Sequence, residues 1–199
     1  MAGGSGLVLA VGMTFSLAFL AVGLVVALIL AAPPGPSWKR RSGRIIVVGL
    51  GFLAATLGWW AATSADPFAI WWVNQRNHAR FYVEYPRTYA AWVLANPVEL
   101  AIGLGLPATA WAVVGFASPR GCPRVAWASL AVLAILTLTG RSLSEVGRLW
   151  LPLMPPLLIA AAAGAERLGA GPKALAASVA LTGVLVLVLE ATIQVIYPI

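Results

Sequence analysis

A single histidine, His78, stands two residues after Arg76 and two before Arg80, with Glu84 one turn further on. An imidazole set between guanidiniums can exchange a proton near neutral pH or help hold an anion. The Glu84 carboxylate can pair with Arg80 and Arg87 at helical spacing. A second set is Arg141, Glu145 and Arg148. There Ser142-Leu143-Ser144-Glu145 reads as a capping box, with Ser at the N-cap and Glu reaching back from N3. Arginines beside a helix N-terminus, where the dipole favours negative charge, suit a phosphate or pyrophosphate. Asn96-Pro97-Val98-Glu99 reads as another helix start of the same kind. Capping alone explains both glutamates.

The elements that must carry these residues are membrane helices. The hydrophobic share is 61% and the charged share only 10% of 199 residues, more apolar surface than a soluble domain of that size can hide. Lipid is therefore the expected solvent. The net charge of +7 does not point to nucleic acid, because the cations stand in short clusters between apolar runs. With one Cys and one His there is no expectation of a disulfide, a metal site or a cofactor.

About 20 apolar residues cross a bilayer as helix. Six runs qualify, near residues 7–32, 44–63, 97–117, 125–139, 143–165 and 173–196, the fourth being short. The expectation is one all-α domain over 1–199, a polytopic bundle of about six transmembrane helices, with an outer loop near 64–96. The first run lacks a basic n-region and is followed by Lys39, Arg40 and Arg41, which reads as a retained helix rather than a signal peptide. Counting cations by side gives eight against five and puts the N-terminus and the 65–96 stretch outside the plasma (inner) membrane.

Within 65–96, Asp66-Pro67 reads as N-cap and N1 of a helix through Phe68, Trp71, Trp72 and Gln75, lying in the interface. Its tryptophans, with Tyr82, Tyr85 and Tyr89, read as an aromatic belt or as a platform for sugar faces. Glu190 and Gln194 share a face of the last run, where an acid must reach a partner or the interface. Pro152, Pro155 and Pro156 must break the fifth run.

Two stretches, NHARFYVEYPRTYAAWVLANPVELAIGLGLP (77–107) and GRSLSEVGRLWLPLMPPLLIAAAA (140–163), resemble the C-terminal membrane half of GT-C type glycosyltransferases. The turn Ser144-Glu145-Val146-Gly147-Arg148-Leu149-Trp150 is similar to an outer motif of bacterial members. The resemblance implies an outer-face site for a polyprenyl-phosphate-linked sugar. On that reading Arg80, Arg141 and Arg148 hold phosphate, while Glu84 or Glu145 orients hydroxyls. It also implies a catalytic acid in the first outer loop. Asp66 is the early acid there and reads as a helix cap, so no catalytic residue is assigned. The chain would then be a fragment of such an enzyme, a split product or subunit needing a partner membrane chain, or a relative that has lost catalysis. The alternative is a non-catalytic structural subunit of a larger complex, for which the small residues Gly49, Gly51, Gly103, Gly105 and 160–163 allow close helix approach. A small transporter is a weaker reading, since no internal repeat is visible.

Overall fold

A computed structural model describes residues 2–15, 18–31, 38–118, 121–140 and 149–192. Every regular element among them is helical: α1 (Ala2–Phe15), α2 (Phe19–Ala31), α3 (Trp38–Thr63), α4 (Pro67–Glu84), α5 (Tyr89–Leu104), α6 (Leu106–Phe116), α7 (Arg124–Leu138), a 3-10 turn (Leu151–Leu153), α8 (Met154–Arg167) and α9 (Pro172–Thr192).

The all-helical class is as expected, but among the described residues helix lengths do not give six full crossings. Among the described residues, α3 and α9 are long and apolar enough to span a membrane. A third span results if α5 and α6, bent by 108° at Gly105, count as one. The first run is two short helices rather than one long one. Gly12 leaves room for the Phe19 ring, which a Cβ at that position would strike. The bend after α5 is also local in origin. Gly105 adopts φ +90, which only glycine takes easily, and Pro107 follows in the first turn of α6. Thr109 Oγ1 donates to the Ala101 carbonyl (3.1 Å), satisfying one acceptor that the break frees.

The expected helix start at Asn96-Pro97 is not where α5 begins. The helix starts at Tyr89 after Thr88, and Pro97 lies inside it, with Asn96 fully buried. In an apolar setting the backbone gains more from continuing as helix than it loses at one proline. The prolines of the fifth run act as expected. Pro152 sits in the 3-10 turn, and Pro155 and Pro156 occupy the first turn of α8, where no N–H partner is needed.

The core lies between α2, α7 and α8, where Val25, Val132, Leu133, Trp150, Leu153 and Leu157 pack together. Beside it α6 crosses α8 on small residues, with Ala112, Ala160 and Ala161 buried. A Cβ on Gly164 would land on the Trp111 carbonyl, and one on Gly115 on the Ala160 carbonyl. Close backbone approach of this kind gives dispersion contact that lipid cannot replace. Of the other expected small-residue contacts, Gly49 faces open space and Gly103 meets only the tip of Met154. α1 packs along α3, where a Cβ on Gly6 would meet the Val48 carbonyl. α9 has no buried residue; Val179 is 74% exposed and Leu187 66%. Such a surface needs an apolar surround, which membrane lipid supplies.

Candidate functional site

The chain leaves α3 through Ser64, whose φ of +57 stops the helix, while Ser64 N–H still bonds the Trp60 carbonyl (2.8 Å). Asp66 then caps α4 as its position suggests. Its Oδ1 accepts from the amides of Phe68 (2.9 Å) and Ala69 (3.1 Å), and Pro67 takes N1. Asp66 is thus engaged as a cap. The helix runs on to Glu84, well past Gln75.

α4 is held near its start. Trp71 Nε1 donates to the Met13 carbonyl (3.2 Å), its ring stacks on Phe52 at 6.0 Å, and Phe68 meets Trp60 edge-on at 6.3 Å. At the other end, Arg87 lies over Phe81 (5.9 Å) and Trp92 (5.4 Å), bridging the turn between α4 and α5. That cation–π placement replaces the expected pairing of Arg87 with Glu84. Part of the aromatic set therefore fastens the helix. Trp72, 65% exposed, and Tyr85 and Tyr89, both about half exposed, remain at the surface as a belt would.

The expected site residues of this stretch divide between two faces. At 100° per residue, Arg80 lies about 40° and Glu84 about 80° from Arg76, while His78 lies about 200° away. Arg76, Arg80 and Glu84 are exposed. His78 is half-buried and its ring meets Tyr82 edge-on at 4.8 Å. So the helix gathers the two guanidiniums and the carboxylate but turns the imidazole away from them, into packing. The surface around the arginines is formed by Val73, Arg76, Asn77, Ala79, Arg80 and Val83, all of α4. No second described element closes over it. It is a face that can attract and orient an anion.

Arg141, Glu145 and Arg148 lie outside the described residues, as do the Ser142 cap and Gln194. The chain on either side is described: Gly140 abuts the Tyr89 ring, and Trp150, 2% exposed, is part of the core. Glu190 is exposed on α9. A feature that sequence reasoning missed is a crevice between α1, α3 and α4, lined by Ala10, Thr56, Trp59 and Trp71 among others. Cys122, buried in the turn before α7, has its thiol pushed above the usual range by desolvation. No family model, no curated protein and no solved structure matches this chain.

Proposed function

We propose that this chain is a multi-pass membrane protein that binds a polyprenyl-phosphate-linked sugar as a component of a GT-C type glycosyltransferase assembly. The observation that carries the reading is the exposed pair Arg76 and Arg80 on one face of α4, the helix that joins the ends of α3 and α5. Two guanidiniums one turn apart match a phosphate, and α4 follows directly on the apolar α3, so on this reading it would meet lipid headgroups. Arg141 and Arg148 are proposed to complete the phosphate site, and Glu84 and Glu145 to orient sugar hydroxyls. Because α4 alone forms the arginine face, the chain is read as supplying a binding surface, with the catalytic acid on a partner. Plasma-membrane placement with this face outside belongs to the same proposal.

The test is binding of a polyprenyl-phosphate sugar to the protein in lipid nanodiscs. Arg76→Ala/Arg80→Ala and Arg148→Ala are each expected to abolish measurable binding while the protein stays folded. Unchanged binding in both variants would sink the reading.

A second reading, a structural subunit without ligand, is favoured by the lack of any buried residue in α9. It expects a stoichiometric membrane partner on gentle extraction, and a monodisperse monomer counts against it.

A further inference from the structure

α3 opens with Trp38-Lys39-Arg40-Arg41-Ser42-Gly43-Arg44, which places four cations within its first two turns. No Asp or Glu occurs in the sequence before Asp66, so no local acid answers them. The helix itself opposes their position, because its N-terminus carries partial positive charge. Arg41 is engaged within the protein. Its Nη1 donates to the Ala31 carbonyl (3.3 Å) at the end of α2, where a helix dipole favours a cation. The side chains of Lys39, Arg40 and Arg44 are exposed and make no hydrogen bond or ion pair among the described residues. At 100° per residue, Arg40 and Arg44 stand about 40° apart on one face, with Lys39 about 100° from Arg40. The length of α3 sets their depth. Residues 45–62 contain no charged side chain. At about 1.5 Å per residue they measure about 27 Å, close to the hydrocarbon thickness of a bilayer. The residues before them then extend about 10 Å further, to headgroup level. Trp38, 70% exposed, stands at that level, as Trp59 and Trp60 do at the other end of the helix.

We propose that Arg40 and Arg44, with Lys39 beside them, bind the headgroup phosphate of an anionic phospholipid of the phosphatidylglycerol class. Two guanidiniums one turn apart fit a diester phosphate. A cation cluster without acids attracts the net negative charge that a zwitterionic headgroup lacks. The same face of α3 continues below the arginines as apolar surface, with Val47 45% exposed and Leu50 60% exposed. An acyl chain attached to the bound phosphate lies along that surface, which a soluble anion would leave uncovered. The site stands at the start of α3, and Arg76 and Arg80 follow its end, so neither reading depends on the other.

The full chain in neutral detergent is titrated with phosphatidylglycerol and, separately, with phosphatidylcholine, and bound lipid is counted by native mass spectrometry. The titration is run in the Arg76→Ala/Arg80→Ala background. The other arginine face then cannot contribute, and failure here leaves the reading of that face untouched. Phosphatidylglycerol is expected to bind about tenfold more tightly than phosphatidylcholine. Arg40→Ala/Arg44→Ala should erase that preference, and Arg40→Lys/Arg44→Lys should keep at least about a third of it. Lys173→Ala, which removes a single exposed cation at the start of α9, should change affinity by less than about twofold. Equal affinity for the two lipids overturns the proposal. So does a preference that survives Arg40→Ala/Arg44→Ala, or that falls as far with Lys173→Ala. Displacement of the lipid by an equal concentration of inorganic phosphate or of an acidic peptide also overturns it, since the site would then serve a soluble anion. Should the alanine pair fail to fold, Arg40→Gln/Arg44→Gln takes its place.

Discussion

Tyr89 Oη donates a 2.7 Å hydrogen bond to the Leu138 carbonyl, and so ties the first turn of α5 to the last turn of α7. A Cβ on Gly140 would sit 3.0 Å from Cδ2 of the same tyrosine ring, and Gly140 takes φ +63. The aromatic stretch that ends at α5 thus lies beside the point where the chain enters 141–148, the segment carrying Arg141 and Arg148.

Tyr89→Phe is expected to lower stability by about 1 kcal/mol, the net worth of one such bond. It should also speed amide hydrogen exchange at the end of α7. Exchange measured in detergent or nanodiscs checks this; unchanged rates at residues 138–140 would mean that the bond does not hold the two ends.

Asp66→Ala should destabilise α4 by about 1 kcal/mol through loss of the cap, while Asp66→Asn should largely restore it. The readout is exchange at the Phe68 and Ala69 amides. An outcome in which Asn fails to rescue would give the carboxylate charge a role beyond capping.

Gly164→Ala places a methyl on the Trp111 carbonyl at the α6–α8 crossing and is expected to cost about 1–3 kcal/mol. Gly49→Ala, where a Cβ meets nothing, should be neutral or gain up to about 1 kcal/mol in helix propensity. Comparative thermal unfolding of the two separates packing from composition. Equal effects would contradict the close crossing.

Cys122 should resist maleimide in the folded protein at neutral pH and react once the protein is unfolded, because burial raises its thiol and keeps it protonated. The sign follows: the neutral thiol is favoured by the fold, so its share of stability is present below the unfolded thiol value. That share is lost as pH rises through the higher folded one. Rapid labelling of native protein would contradict this.

Much of this arrangement was legible in the residues. Asp66-Pro67 announced the start of α4, the apolar run over 44–63 became α3, and the prolines after Trp150 set the 3-10 turn and the start of α8. What failed were decisions that depend on neighbours. Asn96-Pro97 has the chemistry of a helix start, yet α5 carries it inside and buries Asn96, because a break there would leave more backbone unpaired. The run over 7–32 has no proline at its centre. It is nevertheless two helices, α1 and α2, with Gly12 of the first beside the Phe19 ring of the second. His78 looked like a partner of Arg76 and Arg80 along the sequence, but once α4 continues past Gln75 the helical repeat sends it to the other face.

The division of α4 into an arginine face and a histidine face is the most direct point of test. In nanodiscs, affinity for a polyprenyl-phosphate sugar is measured for the native protein, for Arg76→Ala/Arg80→Ala and for His78→Phe, which keeps the ring contact with Tyr82. Each guanidinium contributes about 1.5–3 kcal/mol to a phosphate, so the double variant should lose binding by at least about a hundredfold. His78→Phe should stay within about twofold of the native protein, since His78 lies on the face of α4 opposite the two arginines. Binding that survives loss of both arginines, or that falls with His78→Phe, would contradict the account.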